Sequence, residues 1–259
     1  MFHLDDETHV LIAGDWHSNL SWLLNVIPRA RSASPTARTL LQLGDFNIGA
    51  GRHAKAFVNM ADSLCRGQGI ERLLITPGNH DHWGRLENIE GWHEGRPAQI
   101  SERIWVLPRG YRFAIGGRTF MSFGGAASLD RHDRVEGETW WPSEVGSDLE
   151  FSSAAAAGRA DVMLTHEAVD GATSATDSIT AGHNPYHWPG DRLEASAESR
   201  RRTTHLWNVV HPAILFHGHL HAGATGALND GRRVYSLDMD ARRGNLGVLD
   251  LETLSWVWH

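Results

Sequence analysis

The chain has 259 residues, 41% of them hydrophobic, enough to bury one sizeable shared core, and a single domain spanning residues 1–259 is expected. A formal net charge of −7, from 24 Lys and Arg against 31 Asp and Glu, provides no broad positive field and argues against extended nucleic acid as a partner. The single cysteine, Cys65, excludes an internal disulfide framework and a thiolate-cluster metal site, and suits a reducing compartment.

The N-terminus, Met-Phe-His-Leu-Asp-Asp-Glu, lacks the basic start and apolar stretch of a signal peptide. No apolar run approaches the roughly 20 residues of a membrane-spanning helix, so a cytoplasmic protein without a membrane partner is expected. The continuous apolar run 9–13, ending in Gly14-Asp15, predicts a buried strand, and 19–30 a helix after it. The same alternation recurs with a strand at 39–43 before Gly44-Asp45, a helix at 54–65, and a strand at 73–76 before Pro77-Gly78-Asn79. Such strand-loop-helix units predict a parallel sheet covered on both faces. Short strands at 104–107, 111–115 and 119–123, separated by Pro108-Arg109-Gly110 and Gly116-Gly117, predict antiparallel hairpins and the start of a second sheet. Strands at 162–164 and 213–216 run straight into histidines, and 233–237, 246–251 and 254–258 read as a closing meander. The stretches 129–147 and 170–190 resist regular assignment, whereas 192–210 reads as a helix carrying Arg200, Arg201 and Arg202. The expected architecture is α/β, with two packed mixed β-sheets flanked by helices in an αββα sandwich.

Five segments place metal-ligand residue types just after predicted strands: Asp15-x-His17, Gly44-Asp45, Gly78-Asn79-His80-Asp81, His166, and Gly218-His219-Leu220-His221. In extended chain, residues i and i+2 face one side, so Asp15 with His17, and His219 with His221, can each present two donors in one direction. Imidazole and carboxylate donors without cysteine suit Mn, Fe, Ni, Co or Zn better than a lone Mg ion. Asp45 lies between the two donor sets in the chain, and its two oxygens allow it to bridge two ions about 3.5–4 Å apart. Two divalent ions against Asp15, Asp45 and one hydroxide leave the site about one charge positive, which attracts an anionic ester to an acidic protein.

In order, GDWH, GDFN, GNHD, TH and GHLH resemble the calcineurin-like metallophosphoesterase pattern of DxH, GDxx, GNH(D/E), a lone His and GHxH, over residues 15–221, about four fifths of the chain. The resemblance implies that Asp15, His17, Asp45 and His221 are ligands of one metal ion, that Asp45, Asn79, His166 and His219 are ligands of a second, and that Asp45 is shared. It also implies that His80 is a general acid contacting the leaving-group or phosphate oxygens, with Asp81 orienting it. The segments Gly124-Gly125-Ala126, Asp130-Arg131, Val135-Glu136-Gly137 and Trp140-Trp141-Pro142 further resemble a compact bacterial and phage subgroup. The GDxVDRG signature of Ser/Thr protein phosphatases is absent, and Ile48 stands where purple acid phosphatases carry an iron-binding tyrosine.

The function implied is a phosphoester hydrolase with two divalent ions, Mn foremost, in which a shared hydroxide attacks phosphorus in line. With no capping domain interrupting the motifs, a phosphodiester of nucleotide type is the expected substrate. Phosphomonoester hydrolysis, nuclease activity and a catalytically silent metal-binding scaffold, as in a retromer subunit of similar fold, are the alternatives. His217 alternates away from the motif and is expected to be a buried, hydrogen-bonded support. Arg131, Arg134 and Arg200–Arg202 are read as surface residues with a prospect of reaching phosphate. Trp140, Trp141 and Trp188 are read as core or loop anchors, and Trp16 and Trp83 as anchors close enough to the ligands to wall the cleft.

Overall fold

A computed structural model describes residues 2–49, 51, 53–180 and 187–259. In chain order the strands are β1 (His3–Leu4), β2 (His9–Ala13), β3 (Thr39–Gln42), β4 (Arg72–Ile75), β5 (Ala98–Ser101), β6 (Ile104–Val106), β7 (Tyr111–Ile115), β8 (Arg118–Phe123), β9 (Val162–Thr165), β10 (Ile214–His217), β11 (Ala224–Ala227), β12 (Arg233–Ser236), β13 (Leu246–Asp250) and β14 (Trp256–Trp258). They form two seven-stranded mixed sheets, ordered β14-β13-β2-β3-β4-β6-β5 and β1-β7-β8-β9-β10-β12-β11. The helices are α1 (Leu20–Ala33), α2 (Ala54–Gly67), α3 (Trp83–Leu86), α4 (Asp148–Ala156), α5 (Ser174–Thr180) and α6 (Gly190–Val210).

The unbroken apolar runs are explained by burial on both faces of each sheet. In β2, Val10 and Ile12 join the core between the sheets, with Leu41, Leu74, Phe120, Leu164 and Phe216, while Leu11 and Ala13 join the core beneath α1 and α2. A third cluster packs Met121, Met163 and Leu215 against Leu206, Trp207 and Val210 of α6. The result is the αββα layering expected, and each fully buried Leu, Ile, Val or Phe side chain contributes about 1.5–3 kcal/mol to it. Helix α1 buries Leu23, Val26, Ile27 and Ala30 at helical spacing, and Asn19 caps it by accepting from the Trp22 amide at 3.0 Å. Cys65 is fully buried on α2, where desolvation, helped by Asp62, pushes its thiol up to about 12 and keeps it neutral.

Three sequence expectations change. β6 pairs parallel with β4 and so belongs to the first sheet, and Pro108, which has no N–H to donate, begins the crossing to β7 in the second. Of the two separators Pro108-Arg109-Gly110 and Gly116-Gly117, the second alone closes a hairpin, that of β7 and β8. The expected meander is likewise split: β12 lies parallel to β10, whereas β13 pairs antiparallel with β2 and forms a hairpin with β14 alone. Residues 238–245 carry that crossing and thereby bring Asp238 and Asp240 to the ends of the central strands. Within 170–190, Ser174–Thr180 is helical, and 181–186 lies outside the described residues. Among the described residues no helix is long and apolar enough to cross a membrane.

Candidate metal centre

β2, β3 and β4 run parallel in one sheet, and β8, β9, β10 and β12 in the other. Polar side chains from the loops that follow their C-terminal ends therefore meet at one edge of the sandwich, where open α/β sheets place their sites. Asp15 and His17 follow β2, Asp45 follows β3, Asn79 and His80 follow β4, His166 follows β9, and His219 and His221 follow β10. His17, Asp45, His219 and His221 adopt left-handed backbone, with φ of 45°, 51°, 69° and 50°. This conformation is costly away from glycine, and its recurrence in the loops after β2, β3 and β10 marks backbone held in place by its surroundings. Two motif glycines are required by close approach: a Cβ on Gly78 would stand 2.2 Å from Asp45 Oδ1, and one on Gly218 2.2 Å from Asp15 Oδ1.

Asp15, His17, Asp45 and His221 offer ligand atoms that all lie within 4.8 Å of one another, an arrangement able to hold a metal ion. His221 Nε2 is 3.1 Å from Asp15 Oδ2, and His17 Nε2 is 3.5 Å from Asp45 Oδ2. On the other side of Asp45, Oδ1 lies 3.4 Å from His166 Nε2, which in turn is 3.0 Å from Asn79 Oδ1. The His219 ring centre is 5.1 Å from that of His166. The donor chemistry fits divalent ions. His219 Nε2 is buried without a hydrogen-bond partner, and the buried carboxylates of Asp15 and Asp45 are bordered by imidazole nitrogens and backbone amides, with no Lys or Arg ion pair among the described residues. Two rings are already aimed: His166 Nδ1 donates to Leu43 O at 2.6 Å, and His17 Nδ1 bonds Asp240 Oδ1 at 2.8 Å, leaving each Nε2 directed at Asp45.

Asp240, which also accepts from the Asn19 side chain at 2.5 Å, lies outside the predicted set. Its signal is nonetheless present in Asp238-x-Asp240, two acids after a strand at the i, i+2 spacing of Asp15 and His17. Glu167 is a second residue that sequence reasoning misses; it is buried beside His166 with Oε1 4.0 Å from His219 Nε2.

The expected pairing of Asp81 with His80 is corrected. Asp81 accepts from Ile48 N at 2.6 Å and from Gly78 N at 2.7 Å, so it braces the loops that follow β3 and β4 against each other. The group that hydrogen-bonds the His80 ring is Arg134, which donates to Nδ1. An arginine cannot accept, so Nδ1 must, and the ring proton sits on Nε2, 3.7 Å from Asp130 Oδ2. Burial first, and then the Arg134 charge, hold the His80 imidazole below its ordinary value against the pull of Asp45, so the ring is neutral.

Burial alone would lower His17 and His166, but the facing carboxylates win. Asp45 and Asp15, with Asp240 in the case of His17, push His17 up to about 9 and His166 up to about 10. Asp45 is held well below its usual range, its own burial being outweighed by the charge of His166 and the hydrogen bonds from His166 and His17. Burial and the Asp45 charge push Asp81 up to about 7, and burial keeps His219 well below its ordinary value. The raised imidazoles contribute stability that is fully present below their unfolded value of 6.5 and is lost as pH rises through about 9 and 10. Chelator-stripped protein should therefore unfold at a lower temperature at pH 9 than at pH 7, losing about 1.4 kcal/mol per pH unit for each proton that only the folded chain retains. A flat profile in a calorimetric pH series would contradict this charge assignment.

A cleft of about 550 Å³ opens over the centre, lined by Asp45, Asn79, His80, His219 and His221 and walled by Leu129, Ile179, Trp188, Met239 and Arg242, among others. Of the tryptophans singled out, Trp188 reaches this cleft. Trp16 and Trp83 are fully buried instead, Trp83 donating to Gly78 O at 2.9 Å, because each fills the core beneath a loop that follows a central strand. Trp140 lies under Arg131 and Trp141 stacks on His82, as loop anchors do. His217 is buried, with Nδ1 3.1 Å from Gly218 O. Arg200 departs from the surface reading: it is buried, bonding Asp170 at 2.9 Å and Ser196 at 2.6 Å, while Arg201 pairs outward with Glu198.

A family model described as calcineurin-like phosphoesterase matches residues 8–223. No curated protein matches the chain in sequence. Among solved structures it is similar to the protein TT1561 of Thermus thermophilus, with a TM-score of 0.56 and 14% identity over 97% of this chain and 98% of that one. It is also similar to a dimetal phosphatase from Danio rerio, with a TM-score of 0.52 and 10% identity over 93% of this chain and 92% of that one. At such identities the likeness is one of fold.

Proposed function

The chain belongs to the calcineurin-like phosphoesterase family, and from that premise we propose that it hydrolyses phosphoesters with two divalent ions, its substrate being a phosphodiester of nucleotide type. Asp15, His17, Asp45 and His221 would hold one ion, and Asp45, Asn79, His166 and His219 the other. The observation that carries this reading is the position of Asp45, whose Oδ2 faces His17 at 3.5 Å and whose Oδ1 faces His166 at 3.4 Å, one oxygen toward each donor set. When bound, the ions would supply Lewis acidity toward phosphoryl oxygens and a lowered pKa for water, with Mn the leading choice and Fe, Ni, Co or Zn compatible with the same donors.

The chain's own residues supply the rest. His80, neutral and protonated on Nε2, would donate a hydrogen bond from that nitrogen to the departing oxygen as its charge develops, and Arg134 holds its ring in that form. Asp81 keeps the loop bearing Asn79 and His80 registered on the one bearing Ile48. The cleft falls in the size range of small-molecule sites, and its apolar wall of Leu129, Ile179 and Met239 beside Arg242 suits an organic group attached to phosphate.

The test is turnover of a bis-nitrophenyl phosphodiester and a nitrophenyl phosphomonoester by chelator-stripped protein resupplied with each metal. Diester hydrolysis that returns with metal and exceeds monoester hydrolysis is expected. Monoester preference would make the protein a phosphatase, and no turnover by protein that has bound two ions would overturn the enzymatic reading in favour of a scaffold.

A further inference from the structure

The stretch 129–147, irregular in sequence, and the residues just before it form a buried polar relay behind the metal centre. Ser128 and Glu144 are 4% and 2% exposed. Glu144 Oε1 accepts from Ser128 N at 2.7 Å and Oε2 accepts from Ser128 Oγ at 2.6 Å, so the hydroxyl proton of Ser128 is committed to Glu144. The Ser128 oxygen can then only accept, and it does so twice, from Asn79 Nδ2 at 3.1 Å and from Arg134 Nη1 at 2.8 Å. Arg134 spends its other terminal nitrogen on His80 Nδ1. Glu144 is itself fixed in place: the Arg109 side chain, buried with its guanidinium over the Trp83 ring, donates to the backbone oxygens of Ser143 and Glu144, each at 2.8 Å.

We infer that Ser128 and Glu144 are positioning residues that select the orientation of the Asn79 amide, oxygen toward the metal centre, and hold Arg134 on His80. The selection is a matter of donor polarity. An amide nitrogen turned toward a cation is repelled and has no lone pair to offer, whereas the oxygen binds. The two faces of an Asn side chain are nearly identical in shape, so shape alone does not choose between them. The acceptor-only oxygen of Ser128 chooses, by requiring the nitrogen on its side and leaving Oδ1 facing His166 Nε2 at 3.0 Å. Glu144 makes Ser128 acceptor-only. A glutamine at 144 would have nearly the same shape but could present an N–H to Ser128, freeing the hydroxyl proton to point at Asn79 and removing one of the two acceptor positions.

The inference rests on the reading of Asn79 as a metal ligand, and the test separates the two. Chelator-stripped wild type, Ser128→Ala, Glu144→Gln, Asn79→Ala and the double variant Ser128→Ala/Asn79→Ala would be titrated with Co²⁺, following its visible absorption and the stoichiometry at equilibrium dialysis, with unfolding temperatures recorded metal-free. The expected result is one ion bound at wild-type affinity and a second weakened about 10- to 100-fold in Ser128→Ala and Glu144→Gln, the range typical when an outer hydrogen bond to a ligand is removed. The double variant should be no weaker at the second ion than Asn79→Ala alone, since both changes act through one side chain. Ser128→Ala and Glu144→Gln with two wild-type affinities, or an equal loss at both ions tracking a lowered unfolding temperature, would overturn the positioning role. Unaltered binding in Asn79→Ala would overturn the ligand reading itself.

Discussion

Asp45→Asn should lose the second bound ion and at least about a thousandfold in turnover, roughly 4 kcal/mol of transition-state stabilisation. Asparagine tolerates the left-handed φ of 51° at this position, and its side-chain oxygen can still accept from the His80 amide, which now sits 2.8 Å from Asp45 Oδ1. The substitution therefore removes a charge while leaving backbone and shape in place. That charge lies between His17 on one side and His166 on the other, so its loss weakens both donor sets together. It also takes away the main pull that raises both imidazoles, making the metal-free protein less sensitive to alkaline pH than wild type. Metal analysis beside steady-state kinetics would decide the matter, and two tightly held ions with near wild-type turnover would eliminate Asp45 as the shared ligand.

His80→Ala should behave differently, retaining both ions while slowing turnover by about 10²- to 10³-fold, the usual worth of a hydrogen-bond donor aimed at developing charge. The size of the loss should depend on the leaving group. A nitrophenolate departs without help, so nitrophenyl esters should lose little, whereas a diester expelling an alkoxide should lose the full factor. Arg134→Met, which cannot donate to Nδ1, should reproduce part of this pattern, because the ring proton is then free to occupy either nitrogen. Equal losses for good and poor leaving groups would remove His80 from stabilisation of the departing oxygen and leave it a binding role only.

Much of the fold was legible because its signals are local. Unbroken apolar runs such as His9–Ala13 mark strands buried on both faces, and the Asn19 cap with the spacing of Leu23, Val26, Ile27 and Ala30 marks α1. Which sheet a strand joins is not local. β6 and β7 read as hairpin neighbours, yet they lie in different sheets, because β4 offers β6 a parallel edge and Pro108 cannot extend the ladder. The strands β1 (HL), β5 (AQIS) and β11 (ATGA) lack the unbroken apolar run that marks the buried strands and exist by pairing with a partner already in place.

The same division runs through the candidate site. The sequence by itself determined that Asp15, His17, Asp45, Asn79, His80, His166, His219 and His221 follow strand ends, since motif spacing and strand periodicity are properties of neighbouring residues. Tertiary structure alone decided what each side chain bonds to. It gave His80 an arginine from residue 134 where the adjacent Asp81 was expected, gave His17 a carboxylate from residue 240, and turned Arg200 inward to Asp170. Hydrogen-bond partners are chosen by proximity and direction in space, and a loop crossing between two sheets can bring together groups that no spacing along the chain relates.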